Sequence, residues 1–538
     1  MNKWKVFIPV LLAIAMIMGF VLGTNLNSGD VIVSGNSPLK ALRSRSGETQ
    51  KLDQIIEYID QEYVDSVQRK ELVDKSIQFI LQELDPHSYY ITAEELAEMN
   101  EPLEGNFEGI GVQFNIQKDT VVVVTPLVGG PSEKVGIKAG DRIIAVNEEV
   151  IAGNGIRNSD VLRLLKGEKG TKVNVQIKRA SNDSLKFTIV RDKIPIHSVE
   201  VAYMVDDVTG YIKVSRFAKT TFDEFTQASE KLLNKGMKKL IVDLRGNGGG
   251  FLDAAVSIAD EFLSAGELIV YTEGRSRPRE DFKASGNNLL VGTDVAVLVD
   301  EASASASEIL AGAIQDNDRG YIVGRRTFGK GLVQEQTMWP DGSATRLTIA
   351  RYYTPTGRCI QKPYTNGTES YNEEMYDRYE HGEMFSKDSV QINDSLKYTT
   401  PGGKIVYGGG GIVPDYFIPY DTSGSSTYYN HIIYNGLIYE WAWNYADKHR
   451  DELKALGSYK AFDDNFNISE SIFEDFVDYA SNNGVARNKS GIENSKTNIK
   501  RRLKSYIARN IWNNDGFYPI WNQGDQVISR ALEVLETK

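Results

Sequence analysis

Two short stretches hold residues able to do chemistry. Ser303-Ala304-Ser305-Ala306-Ser307-Glu308 offers three serines at alternate positions, and Phe328-Gly329-Lys330-Gly331-Leu332-Val333-Gln334 offers a lysine between two glycines. A serine hydroxyl is a weak nucleophile until a neighbouring base takes its proton. Lysine can be that base only as the neutral amine, far below its ordinary pKa of about 10.4, and burial in an apolar site favours the neutral form. Gln334 follows Lys330 by four positions, and in a strand this even spacing puts both side chains on one face. Its amide can orient an amine without adding charge, whereas a carboxylate would hold the lysine protonated. The chemistry these residues suggest is acyl transfer from a serine to water, with no histidine. His87, His197, His381, His431 and His449 leave the stretch 198–380 without one, so a Ser-His-Asp triad has little support. Each residue also has a plain structural reading. A lysine beside glycine is ordinarily a solvated turn residue, and Ser305-x-x-Glu308 has the pattern of a helix capping box.

The elements needed to position these residues are legible. Residues 294–300 read as a buried strand, and Ile309, Leu310, Ala313 and Ile314 mark a helix, so the serines fall at a strand-to-helix turn. Such a turn presents a side chain at the sheet edge and leaves the first N–H groups of the helix unpaired, ready to hold an oxyanion. A second donor is expected from Asp243-Leu244-Arg245-Gly246-Asn247-Gly248-Gly249-Gly250, which follows a strand at 240–244 and precedes a helix. This loop lacks the third glycine of a dinucleotide fingerprint. Gly324-x-x-x-x-Gly329-Lys330 comes close to a phosphate-binding loop, but Gly331 stands where Ser or Thr is needed, and a strand pattern follows instead of a helix.

Alternation continues around these segments. Strands are predicted at 208–214, 240–244, 268–271, 295–299 and 321–323, and helices at 221–234, 252–263 and 307–316, which together suggest an α/β core with crossover connections. Ahead of it, residues 51–104 carry apolar residues at helical spacing, broken by Asp85-Pro86-His87-Ser88. Residues 105–192 form a β-rich module, with strands expected at 111–116, 120–125, 142–147, 172–179 and 185–191 and a helix at 159–166. The core is expected over 193–420, with 363–398 as a polar inserted loop. Residues 421–538 read as a mostly helical extension holding four of the six tryptophans.

With 538 residues, 41% hydrophobic and 25% charged, the chain can bury several cores. A net charge of −12 argues against nucleic acid as a partner. The single cysteine, Cys359, excludes a disulfide framework and a Cys-rich zinc site, and it reads as an ordinary strand position. Lys3 and Lys5 precede an apolar run at 6–23, so residues 1–26 read as a signal anchor, with cleavage near Gly23-Thr24 as the alternative, and 27–50 as a linker. Either reading exports the rest of the chain.

Taken together, these segments resemble the C-terminal processing peptidases, the tail-specific S41 family of serine peptidases. The resemblance rests on Asp85-Pro86-His87-Ser88, Gly109-Ile110-Gly111-Val112, Gly130-Pro131-Ser132 through Asp141-Arg142-Ile143, the loop 243–250, the serine run, and Thr327 to Gly331 with Gln334, in the family's order over roughly residues 50–420. It implies an α/β and α+β multidomain fold: an N-terminal helical region, a PDZ module at 105–192, a ClpP/crotonase-like protease core and a C-terminal helical extension. It also implies Ser305 as nucleophile, Lys330 as general base, Gln334 as its orienting partner, and an oxyanion hole from the N–H of Ala306 with that of Gly249 or Gly250. Gly109, Ile110, Gly111 and Val112 would hold the substrate's C-terminus. No metal or cofactor is implied. The partners would be proteins with free C-termini and the cell-envelope membrane, with a homo-oligomer or an adaptor left open. A catalytically silent PDZ scaffold or chaperone on the same fold is the alternative, and the joint presence of Ser305, Lys330 and Gln334 speaks against it.

Overall fold

The computed structural model describes residues 48–537 apart from 118, 128, 139, 180–183 and 287, so the expected anchor at 1–26 and most of the linker lie outside the described residues. Among the described residues no helix is long and apolar enough to cross a membrane. The N-terminal helical region begins slightly earlier than the periodicity suggests, with helices Glu48–Glu62 and Arg69–Gln82. A third helix, Ala93–Glu104, starts with a capping box between Thr92 and Glu95 and stops at Gly105 in the left-handed region.

The fold is mixed α/β. Its centre is a six-stranded sheet in which spatial order follows chain order: Val199–Met204, Thr209–Val214, Lys239–Asp243, Asp294–Val299, Tyr321–Gly324 and Tyr416–Phe417. The first pair is antiparallel and the others are parallel. Strands such as Asp294–Val299 are continuous apolar runs, as burial on both faces requires. One face packs against the helices Thr221–Leu233, Leu252–Asp260 and Ala306–Asp316 through residues including Val242, Val297, Ile258 and Leu310. A second, antiparallel sheet holds Tyr89–Ile91, Leu268–Gly274, Arg277–Lys283 and the long hairpin Leu332–Met338/Ala344–Tyr353.

The other face of the central sheet is covered by the last helix among the described residues, Gln526–Glu536. Val527, Ile528, Ala531, Val534 and Leu535 pack onto Tyr211, Ile241, Ala296 and Leu298. The C-terminal extension is therefore not wholly separate from the core, because its end completes the core. The preceding helices, from Thr427–Tyr434 to the kinked Lys489–Trp521, enclose an aromatic-rich core of their own, including Trp441, Phe462, Phe473 and Phe476. We expect Leu535→Ala to destabilise the central sheet by about 3 kcal/mol, the usual cost of truncating a buried leucine. Urea unfolding monitored on the central sheet would check this; an unchanged midpoint would make the helix dispensable.

Residues 363–398 differ from the expected loop. They include a helix, Thr368–Glu380, that passes unnoticed in the sequence because it buries charged and hydroxyl groups in pairs instead of an apolar stripe. Arg378 and Arg326 share the carboxylate of Glu383, and Lys362 pairs with Glu374 between the rings of Phe328 and Tyr371.

The β-rich module follows its predicted strands closely. Val112–Gln117, Thr120–Pro126, Arg142–Val146, Lys172–Lys178 and Ser184–Val190 pair antiparallel, with Val112–Gln117 at the edge and the helix Asn158–Leu165 packed by Val161 and Leu165. A two-stranded ribbon, Asn106–Gly109 with Asp192–Pro195, joins the module to its neighbours.

Candidate active site

The glycine loop and the serine turn follow neighbouring parallel strands, Lys239–Asp243 and Asp294–Val299, at their C-terminal ends, where α/β sheets place ligands. Ser305 caps the helix Ala306–Asp316 with φ +55°, ψ −114°, a region a residue other than glycine seldom occupies, so the turn is a strained elbow. The three serines differ in their surroundings. Ser303 is fully buried and donates its hydroxyl to Leu244 C=O at 2.9 Å, and Ser307, equally buried, donates to Asn247 C=O at 2.8 Å. Ser305 is partly exposed and lines a cavity of about 460 Å³ that Lys330, Gln334, Gly248, Gly250 and Tyr352 also border.

Asn247 ties the two loops together. Its carbonyl accepts the N–H of Ala304 (3.0 Å), and its side chain bridges Val214 C=O and the N–H of Gly249. This separates the two glycines expected at the oxyanion hole. The Gly249 N–H is committed to Asn247 Oδ1 at 2.9 Å, so Gly249 does not supply the donor. What Gly249 supplies is room: a Cβ there would stand 2.8 Å from Ser305 Cβ and 3.0 Å from Ala306 N. The N–H groups of Gly250 and Ala306 have no acceptor among the described residues; Ala306 follows Ser305 directly, and Gly250 borders the same cavity.

Lys330 lies just before the strand Leu332–Met338, and the register slips between Val333 and Gln334, so simple alternation does not place the pair. They meet nonetheless: Lys330 Nζ donates to Gln334 Oε1 at 2.9 Å. The Gln334 amide N–H₂ donates to His87 C=O, which fixes the amide so that its oxygen faces the lysine. His87 is held by Asp85, whose carboxylate accepts the N–H of His87 (2.8 Å) and of Ser88 (2.9 Å), the Ser88 hydroxyl (2.6 Å) and the Thr348 hydroxyl (3.1 Å). The Asp85-Pro86-His87-Ser88 segment thus orients Gln334, a role its sequence gave no sign of. Burial, with a contribution from Lys330, pulls the His87 imidazole down to about 4, and its Nε2 meets the Tyr371 hydroxyl at 2.8 Å. Burial also lowers the pKa of Lys330, assisted by the Arg346 cation and opposed by Asp85 and Glu308. Ser305 Oγ and Lys330 Nζ are not hydrogen-bonded to each other here; catalytic hydrogen bonds often tighten only when substrate is bound.

Two further residues join the serine turn to the lysine turn, and neither was assigned a catalytic role from sequence. Glu308, fully buried, accepts the N–H of Ser305 (2.8 Å), Gly329 (2.8 Å) and Lys330 (2.9 Å) and the Thr327 hydroxyl (2.5 Å). Burial raises its pKa to about 7 against these donors. The capping pattern Ser305-x-x-Glu308 is therefore real on the glutamate side and extends to the lysine loop. The Tyr352 hydroxyl lies 3.1 Å from Ser305 C=O and 2.5 Å from Lys330 C=O.

In the β-rich module, Gly109 ends one strand and Val112 begins the next. Between them the carbonyls of Ile110 and Gly111 are taken by Ser132 and Leu127, while the N–H groups of Ile110 and Gly111 have no acceptor among the described residues. The same residues contain no cluster of metal-ligating side chains.

Comparison with known proteins gives three family matches: Peptidase family S41 over residues 208–369, a PDZ domain over 109–190, and a family of unknown function over 428–513. The carboxy-terminal processing protease CtpA of Bacillus subtilis is 35% identical over 336 residues, covering 62% of this chain and 71% of that protein. The carboxy-terminal-processing protease of Bartonella bacilliformis is 33% identical, covering 65% and 80%. Among solved structures, the photosystem II D1 C-terminal processing protease shares 30% identity over 58% of this chain and 90% of that one, with a TM-score of 0.34.

Proposed function

This chain belongs to the carboxy-terminal processing proteases of peptidase family S41, and from that premise we propose that it is a serine endopeptidase of the Ser-Lys type that cleaves proteins near their C-termini. One observation carries the choice of residues: of the three serines only Ser305 borders the cavity that Lys330, half-buried and with a lowered pKa, also borders. Neutral Lys330 takes the proton from Ser305 as Oγ attacks the scissile carbonyl. The N–H groups of Ala306 and Gly250 receive the oxyanion. Lys330 then protonates the departing amine, and water, deprotonated in turn by Lys330, releases the acyl group. Gln334, oriented by His87, keeps the amine aimed without charging it.

The tail of the substrate is recognised by the PDZ domain. Its free N–H groups at Ile110 and Gly111 suit a terminal carboxylate, and its edge strand Val112–Gln117 can pair with an added strand. The apolar run 6–23 behind Lys3 and Lys5 supports placing the catalytic part outside the cytoplasm, tethered to the membrane.

Quenching a reaction with an unfolded protein bearing an apolar C-terminus, then analysing the digested enzyme by mass spectrometry, should find the acyl adduct on the peptide containing Ser305. An adduct elsewhere would reassign the nucleophile. Absence of any cleavage would favour a silent scaffold.

A further inference from the structure

The cavity around Ser305 and Lys330 has an unbalanced charge. Four acidic or basic side chains line it: Glu104, Lys219, Lys330 and Arg346. Lys219 Nζ contacts both oxygens of Glu104, at 2.6 and 2.7 Å, so this pair cancels. Lys330 must be neutral to act as a base. Arg346 therefore remains as the uncompensated charge.

Its guanidinium is fixed entirely by neutral groups. Nε donates to Gln336 Oε1 at 3.0 Å, Nη1 to the Tyr89 hydroxyl at 2.6 Å and Nη2 to Asn100 Oδ1 at 2.7 Å. Among the described residues it has no carboxylate partner, whereas Arg245, Arg325, Arg326, Arg358 and Arg378 each have one. A guanidinium carries five N–H donors. Three are used, which leaves two on a side chain already held still, so binding an anion there loses little side-chain freedom. Leu103, Phe251, Leu252, Ile309, Leu332 and Val333 add apolar surface to the cavity wall.

We propose that Arg346 is a specificity-determining residue that takes a carboxylate of the substrate segment lying in the cleavage cavity, an inference that rests on the reading of that cavity as the site of cleavage. The carboxylate has two sources. When the substrate tail is anchored on the PDZ domain, it is an Asp or Glu side chain near the scissile bond. When the tail is short, it is the terminal carboxylate itself. In both cases Arg346 donates charge-assisted hydrogen bonds that a neutral substrate cannot accept.

Pairing has a second consequence that a purely structural arginine would not produce. Burial and then Arg346 lower the pKa of Lys330. A carboxylate seated on Arg346 cancels part of its field, so the lysine holds its proton to higher pH in that complex. The rising limb of kcat against pH should then lie higher for carboxylate-bearing substrates than for neutral ones.

The test uses the full chain and one protein substrate whose cleaved bond has been mapped. In one arm, Glu or Gln is placed in turn at each of the flanking positions with the tail unchanged. In the other, the tail is shortened stepwise so that the terminal carboxylate approaches the bond, each length made as acid and as amide. We expect at least one arm to show a preference for the carboxylate of about tenfold or more in kcat/KM, expressed mainly in KM, and a matching upward shift of the kcat limb. In Arg346→Gln the ratio of carboxylate to neutral substrate should collapse towards one, and the two limbs should coincide, whatever happens to the rate common to both. A response in the first arm assigns the side chain, and in the second the terminus. No preference in the wild type, or a ratio unchanged in Arg346→Gln, overturns the proposal. If Arg346→Gln is inactive, binding of the same acid and neutral pairs to Ser305→Ala with and without Arg346→Lys reads the ratio instead. If Ser305→Ala cleaves as well as wild type, the site itself is misassigned, which is a different failure.

Discussion

Lys330→Arg is expected to lower kcat by about a thousandfold or more, within the range set by losing a general base, with a much smaller change in KM. Arginine keeps the charge but cannot give up a proton in this pH range, so it cannot take one from Ser305. The wild-type kcat should rise with pH as Lys330 becomes neutral. That limb lies below the ordinary lysine range, because burial and then the Arg346 cation disfavour the charged form. The limb should vanish in the variant. The same shift has a sign for stability. Below the unfolded-state value of 10.5 the unfolded chain binds a proton that the folded chain binds less readily, so Lys330 destabilises the fold increasingly as pH falls towards its folded pKa. Lys330→Met, neutral and apolar, should therefore be as inactive as Lys330→Arg yet no less stable than wild type at neutral pH. Because nucleophile and base act as a unit, Ser305→Ala combined with Lys330→Met should be scarcely worse than either alone. Wild-type turnover in Lys330→Arg would remove lysine from the mechanism.

Glu308→Ala should lose activity by about a hundredfold or more while cleaving at the same bond. The carboxylate gathers three backbone N–H groups and a hydroxyl from two separate turns. Removing it leaves buried donors unpaired, at about 1–3 kcal/mol for each donor that finds no water. It also frees the lysine turn to drift from the serine elbow, and a misplacement of about 1 Å can cost about a hundredfold. Glu308→Gln should rescue little, since its amide presents N–H₂ to groups that are themselves donors. The diagnostic result is a fall in kcat with a reduced melting temperature and no change in the cleavage products. A variant with wild-type kcat would show that the turns hold their positions without the carboxylate.

Four of the six central strands were legible because buried parallel strands are short apolar runs, and Asp294–Val299 and Ala306–Asp316 match expectation to within a residue; Val199–Met204 and Tyr416–Phe417 were not seen, and the strand expected at 268–271 lies in the second sheet. The strand Arg277–Lys283 was not seen, because it carries charged side chains on a largely exposed edge. The helix Thr368–Glu380 was hidden for the opposite reason, burying charge in pairs that sequence spacing does not reveal. At the site, the serine run and Lys330 stood out by type and setting, and the family resemblance singled out Ser305 among the three serines. The Gly249 donor could not be excluded in advance, because its loss depends on a side chain two positions away folding back onto it. Tyr352 and Arg346 reach the cavity from a strand that passes alongside it, and nothing local marks them.

The glycine loop is also held from the far end of the chain. Arg245, paired with Asp243, reaches Asp525 at 2.8 Å, and Asp525 caps the final helix through the N–H groups of Val527 and Ile528. Synthesis proceeds from the other terminus, so these residues leave the ribosome only after every strand of the central sheet. Until they do, one face of the sheet is bare and the loop beside Ser305 lacks its outer anchor. The core is thus unfinished when its last strand has been made, and a chain that stops before Asp525 carries Ser305, Lys330 and the glycine loop without the support that holds them in register.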